Sequence, residues 1–420
     1  MRNAGIHANS LLEVRRMYNA VGIDVSKGKS MVTILRPFGE IVSSPFEIKH
    51  TSSDILSLIK LIHSIEGESR IVMEHTGHYY EVLAQQFSAA GLFVSAVNPK
   101  LVKNFNNDSL RKVKSDKADS IKIARYALDK WQNLKPYSIV DELRTQLKAM
   151  NRQFHFYVKQ KTAMKNNLIN LIDQTYPNAN TYFNSPPRSD GSQKWVDFVY
   201  TYWHVDCVRK MSLNSFVKHY QNWCKQKKYI FNKSKAEEIY TKATELVPVF
   251  PKNEITKRII RQAIAQLNST SATVETIRIL MNETASKLPE YPIVMQFKGI
   301  GPSLGPQLMA EISDITRFTH KGALTAFAGV DPGVNESGSY AQKSVPTSKR
   351  GSSNLRKTLF QVMDVLIKTM PQDDPVYQFM DRKRAQGKPY YVYMTAGANK
   401  FLRIYYGRVK EYLCILSESS

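Results

Sequence analysis

Cysteine is scarce in this chain. Cys207, Cys224 and Cys414 are odd in number, widely spaced and form no CxxC pair. That pattern excludes a disulfide framework and a zinc ribbon, and it fits a reducing, cytoplasmic setting. Long apolar runs are missing too: nothing reaches the roughly 18 residues of a membrane-spanning helix, so no membrane role is expected. The opening MRNAGIHANSLLEVRRMYN lacks the apolar segment of a secretory signal. Acids are the minority charge, 36 Asp and Glu against 59 Lys and Arg, for a net charge of +23 and a pI near 9.7. Such an excess favours a polyanionic partner, nucleic acid ahead of an anionic membrane surface. The 420 residues, 42% of them hydrophobic, are enough for two or three domains with sizeable cores.

What is present begins with a run of short strands. AVGIDV is an unbroken apolar run, KSMVTILRP alternates, and EIVSSPFEI follows the Phe38-Gly39 turn. A helix is expected over 53–65, capped by Ser52 or Ser53. SRIVME is a fourth strand ending at Glu74; a helix over 78–90 closes at Gly91, and LFVSAVNP is a fifth strand. Two further helices are expected over 100–106 and 116–132. Three adjacent strands, then helix, strand, helix, strand, helix, is the order of an RNase H-like α/β fold, here assigned to residues 17–135.

The rest reads as mainly helical. Leu143, Leu147, Met150, Phe154, Tyr157, Met164, Leu168 and Leu171 keep a four-three beat broken at Lys161. Ile260, Ile264, Leu267, Val274, Met281, Ala285 and Leu288 keep nearly the same beat, interrupted at Ser271 and Arg278. This spacing predicts a coiled-coil connector over 140–290, or two long amphipathic helices of an ordinary bundle. Between the two stretches, 176–252 is irregular in pattern and reads as a small helical insertion. From 291 to 415, MQFKGIGPSLGPQLMAEI matches a helix-hairpin-helix pattern, in which Lys298, Gly299 and Gly301 would approach a phosphate. A Ser/Gly-rich basic loop and a helix opening at Ser352 or Ser353 follow.

Four acids carry the chemistry. Asp24 ends the first strand, Glu74 ends the fourth, and Asp116 and Asp119 are three apart, on one side of a helix. Clustered carboxylates are costly without a cation. Oxygen donors suit Mg2+, with Mn2+ as the substitute, and paired ions clamp the attacking and leaving oxygens of a phosphoryl transfer. Lys112, Lys114 and Lys117 surround the acidic pair as a rim for a phosphate backbone.

These residues resemble the DEDD transposases of bacterial insertion sequences, a family that includes the Piv-type DNA invertases. Its strand-borne G-I-D followed by Lys is Gly22-Ile23-Asp24 with Lys27; its E-x-T-G is Glu74-His75-Thr76-Gly77; its K-x-D-x-x-D runs from Lys114 to Asp119. The C-terminal block matches as Lys298 to Pro302, Phe327 to Pro332, Glu336-Ser337-Gly338, and Gly351 with Asn354 to Leu359. His75 and His78 stand where the family commonly has small or apolar residues, and 176–252 is longer than the connection in many relatives.

The resemblance implies a RuvC-like domain, a coiled-coil connection and a C-terminal transposase domain. It implies Mg2+-dependent cleavage and rejoining of element ends and target DNA. It also implies Ser337 as the nucleophile of a phosphoserine–DNA intermediate; by sequence position alone, Ser339 and Ser344 are close competitors. Some relatives use a structured guide RNA encoded beside the gene. Lys343, Arg350 and Arg356 join the basic residues expected on nucleic acid. A dimer or tetramer in the bacterial cytoplasm, associated with the nucleoid, is expected. The main alternative is a nuclease or Holliday-junction resolvase of the same fold, acting by water attack. An actin-like ATPase or sugar kinase would need a second glycine-rich phosphate motif, which is missing. The intact acid set argues against a binder that has lost its chemistry.

Overall fold

The structure, a computed structural model, describes residues 18–75, 79–105, 115–137, 141–331, 336–337, 340–341 and 347–418. The chain divides into two compact units, 1–139 and 140–420.

The first unit is a mixed sheet with helices on both faces. Its elements are β1 (Tyr18–Val25), β2 (Lys29–Leu35), β3 (Ile41–Lys49), α1 (Ser52–Ser64), β4 (Glu68–Glu74), α2 (Tyr79–Ala89), β5 (Phe93–Val97), α3 (Pro99–Asn104) and α4 (Asp116–Asp129). The strand order is β3-β2-β1-β4-β5. β1 pairs antiparallel with β2, and β2 with β3; β1 with β4 and β4 with β5 are parallel. Strand alternation sorts the side chains. Val21 and Ile23 of β1 and Ile71 and Met73 of β4 join the core under α1 and α2. Ala20 and Val72 join Ile123, Ala124 and Ala127 under α4.

One expected cap is corrected. The N-cap of α1 is Thr51, whose hydroxyl accepts from Asp54 N at 3.3 Å, and Ser52 and Ser53 lie inside the helix. Asp54 in turn accepts from Lys49 N at 2.9 Å, which pins the strand end to the helix start and moves the boundary upstream.

The second unit is almost wholly helical. Two 32-residue helices, α5 (Glu142–Asp173) and α10 (Glu254–Ala285), frame it. Between them lie α6 (Lys194–Thr201), α7 (Asp206–Arg209), α8 (Leu213–Gln226) and α9 (Lys233–Glu245). After them come α11 (Tyr291–Val294), α12 (Leu304–Ile312), α13 (Lys321–Ala328), the two-residue strands β6 (Glu336–Ser337) and β7 (Tyr340–Ala341), α14 (Ser353–Thr369), α15 (Pro375–Ala385) and α16 (Tyr390–Glu418).

The two long helices run antiparallel, because opposite ends share cores. Leu147 and Phe154, early in α5, pack with Val274 and Met281, late in α10. Leu168 and Ile172 pack with Ile260, Ile264 and Leu267. The second of these cores belongs to the 176–252 insertion, whose Tyr176, Tyr202, Phe216 and Trp223 are buried in it. The insertion loop approaches α10 closely where the beat breaks: a β-carbon on Gly191, at φ +81°, would sit 3.0 Å from the Ser271 carbonyl oxygen and 3.1 Å from its Cβ. At the other end Arg144 NH2 donates to both carboxylate oxygens of buried Glu290 at 2.6 Å. Among the described residues no helix is long and apolar enough to cross a membrane.

Candidate active site

Asp24 stands near the C-terminal end of β1, at the position that alternation assigns to the α4 face, in register with Ala20 and Gly22. α4 comes unusually close to this strand. A β-carbon on Gly22 would overlap the Ser120 carbonyl and the Ala124 amide, with Ala124 Cα only 2.8 Å away. Glycine at 22 is therefore what lets the helix lie on the strand. The contact is fastened by a buried hydrogen bond between the Thr33 and Ser120 hydroxyls, 2.7 Å. Asp116 and Asp119, both in the first turn of α4, are thereby brought toward Asp24. Ser115 caps the helix, accepting from Ala118 N at 3.2 Å. Acids at a helix N-terminus are favoured by the helix dipole, which supports this pair locally.

The electrostatics show the two α4 acids acting on Asp24. Burial, then the charges of Asp119 and Asp116, push the Asp24 carboxyl up to about 6. Glu74 is half-buried at the end of β4. The last β1–β4 register pair is Ile23 with Met73, so Asp24 and Glu74 each follow it by one residue on neighbouring strands. By alternation Glu74 shares the face of Val72, which is also the α4 face. The sheet and α4 thus bring Asp24, Asp116 and Asp119 into electrostatic reach and set Glu74 on the adjacent strand end.

Among the described residues, no three carboxylate, imidazole or thiol groups are gathered as tightly as a metal site requires. The donor chemistry nonetheless suits a hard divalent cation: the acids supply only oxygen, and Asp24 is raised by burial and then by its acidic neighbours. Lys117 is exposed on α4, and Lys27 is exposed after β1. Lys112, Lys114 and His78 lie outside the described residues. His75 is exposed, and its amide donates to Val97 O at 3.0 Å.

The C-terminal motif residues fall in two places in the second unit. Gly299, at φ +77°, turns the chain between α11 and α12, and Ile300 N donates to Phe297 O at 3.1 Å. A side chain at 299 would press on Leu366 and the Val362 carbonyl of α14, whereas Gly301 faces open space. Lys298 is exposed and 3.5 Å from Asp373.

The second place is a joint between the end of α13 and the start of α14. Gly329, at φ +64°, closes α13. A β-carbon on Gly351 would overlap the Phe327 carbonyl, and Arg356 NH1 donates to Ala328 O at 3.0 Å and Gly351 O at 3.2 Å. Ser352 N donates to Phe327 O at 2.8 Å, Lys349 N to Gly329 O at 3.3 Å, and Ser348 Oγ to Asp331 Oδ1 at 2.7 Å. These bonds tie together the two ends of the segment that carries Ser337. Ser337 itself pairs with Tyr340 in the β6–β7 ladder. Ser339, Lys343 and Ser344 lie outside the described residues. Arg350 is exposed, while Arg356 is half-buried with NH1 engaged by the two carbonyls.

Sequence reasoning did not single out Thr33, Ser120 or Glu311. Glu311 is 3% exposed and accepts from Asn151 Nδ2 at 2.8 Å, Ser352 Oγ at 2.9 Å and Arg152 NH2 at 3.3 Å. It joins α5 to the start of α14. The available signal was an acid inside the apolar run LMAEI, which marks a buried carboxylate in need of partners.

Two family models match the chain. A DEDD-type transposase model covers residues 21–177. The model described as transposase IS116/IS110/IS902 family covers 291–378. The first spans the sheet, α4 and α5; the second runs from α11 into α15. Neither reaches 178–290, which holds most of the insertion and all of α10. No curated protein matches the chain. Both matches, in order and together covering more than half of the residues, show that the chain belongs to the IS110 family of insertion-sequence transposases.

Proposed function

We propose that the chain cuts and rejoins DNA by a serine-based phosphoryl transfer assisted by a divalent cation. The observation that carries this reading is the half-buried Asp24, raised to about 6 and set against Asp116 and Asp119 by the Gly22–α4 contact. The sheet order β3-β2-β1-β4-β5, with acids at the ends of β1 and β4, supports an RNase H- or RuvC-like assignment for residues 17–135. Residues 140–290 serve as connector, with the antiparallel α5–α10 pair as its coiled-coil part, and 291–415 as the transposase domain.

Asp24, Glu74, Asp116 and Asp119 would hold Mg2+. When bound, the ion supplies charge neutralisation to the oxygens around the reacting phosphorus. The chain's own residues do the rest. The Ser337 hydroxyl gives up its proton, and its Oγ bonds to phosphorus. The displaced strand end leaves as a hydroxyl after taking up a proton. Attack by a second strand's hydroxyl reverses the step, releases Ser337 and rejoins the DNA without an external energy source. The basic side chains Lys112, Lys114, Lys117, Lys298, Lys343 and Arg350 hold phosphates, with Gly299 and Gly301 giving backbone access at the hairpin. Two exchanges per event require more than one active site, so the working unit is a dimer or tetramer. A structured RNA encoded with the element selects the sites, which fits a net charge of +23.

The test is a denaturing gel of the full chain incubated with labelled element-end DNA and Mg2+. A covalent adduct in the wild type that is lost in Ser337→Ala supports the reading. Cleavage with no adduct favours water attack.

A further inference from the structure

A second basic site lies in the 140–420 unit. α5 and the first turn of α14 border an open groove of about 580 Å3, whose polar lining is His155, Lys159, Thr162, Asn166, Asn354 and Lys357, with Val158 and Ala163 beside them. Its rim is cationic: Lys159 and Lys357 are exposed, and among the described residues neither forms an ion pair with a carboxylate. No acidic side chain lines it. His155 contributes two ring nitrogens that are shielded from solvent and have no hydrogen-bond partner in the protein. Unpaired buried polar atoms of this kind cost stability unless a ligand satisfies them.

The neighbouring acid is already spent. Glu311 on α12 is held by Asn151, Arg152 and Ser352. Burial and the charges of Lys357 and Arg152 hold the His155 ring below its ordinary pKa, against the opposing pull of Glu311. A neutral imidazole keeps one N–H to donate. α14 also begins here. Ser352 is its N-cap and accepts from Leu355 N at 3.2 Å, and the first backbone bond back to that residue comes from Arg356 N, at 3.1 Å. The amides of Ser353 and Asn354 thus precede the helical ladder and favour an anion.

We propose that this groove receives a phosphate of a nucleic-acid strand, with Lys159 and Lys357 as its charge partners and His155 and Asn354 as hydrogen-bond donors. The inference rests on the reading that the chain handles nucleic acid, and it adds a contact surface on α5 and the first turn of α14, within the 140–420 unit. Two ammonium groups, an imidazole and a side-chain amide around a space larger than one phosphate match a backbone phosphate with part of its sugar.

The test measures the salt dependence of binding by the full chain, with duplex DNA and with single-stranded RNA as separate probes. The double variant Lys159→Ala, Lys357→Ala should bind about tenfold more weakly. Its log–log salt slope should be shallower by about one. Lys148→Ala, on α5 outside the groove, should retain the wild-type slope. His155→Gln should weaken binding without changing the slope, because it removes no charge. A change on only one probe assigns the phosphate to that strand type. Unchanged slopes on both probes overturn the groove assignment and leave the proposed function standing. A wild-type chain that binds neither probe overturns both.

Discussion

Gly22 and Ser120 are in contact without a side chain between them: the Ser120 carbonyl occupies the space that a β-carbon at 22 would need. That contact sets the distance between β1 and α4, and so between Asp24 and the acids of the α4 first turn. Gly22→Ala should lift the helix off the strand. Overpacking of this kind costs about 1–3 kcal/mol. Amide exchange in β1 and α4 should quicken, and strand exchange should be lost even though all four acids remain. Normal exchange protection and normal activity in this variant would remove the contact from the account.

Asp24 sets a pH dependence whose sign is fixed by its raised pKa. Its ordinary value is 3.8 and its folded value about 6. At low pH the group is protonated in both states. Between about pH 4 and 6 the unfolded chain ionises first, so stability falls as pH rises, and above about 6 the full penalty is present. In metal-free protein Asp24→Asn should therefore gain about 1–2 kcal/mol at pH 7, a figure discounted for partial exposure, and nothing at pH 3.5. Mg2+ should raise the wild-type melting temperature and leave that of the variant unchanged. Urea unfolding at the two pH values, with and without Mg2+, measures both effects.

The joint at the base of the Ser337 segment makes a separate prediction. Arg356→Ala leaves the carbonyls of Ala328 and Gly351 without their donor. A loss of about 1–3 kcal/mol is expected in the second unit. Gly351→Ala should be worse, because its β-carbon would overlap the Phe327 carbonyl and lie 2.6 Å from Gly329 N. Both variants should yield less Ser337 adduct while Mg2+ still stabilises the first unit. Equal losses in both units would contradict the assignment of these residues to one joint.

Much of the first unit was legible because period-two strands and capped helices are local signals. β1, β2, β4 and β5 lie where apolar runs and alternation placed them, and the acids at the ends of β1 and β4 were visible as strand-terminal carboxylates. The role of Gly22 was not visible. It depends on a helix about one hundred residues later and on the absence of a side chain, which leaves no periodic trace. The close approach of the Gly191 loop to Ser271 of α10 has the same character. The glycines of FAGV and RGSSN were readable as motif members, while their contact through the Phe327 carbonyl appears only in three dimensions. His155 and Lys159 stood within the α5 beat as ordinary non-core positions, and their partnership with Asn354 and Lys357 required the packing of α5 on α14.

We propose that the acids of the first unit and the serine of the second act in one reaction. The most direct measurement is the yield of covalent protein–DNA adduct, with element-end DNA and Mg2+, in wild type, Asp24→Ala, Ser337→Ala and a mixture of the two variants. An adduct is expected in the wild type and none in either variant alone. If the acids and the serine act from different subunits, the mixture recovers part of the yield. An adduct that persists in Ser337→Ala, or full activity in Asp24→Ala, would contradict this proposal.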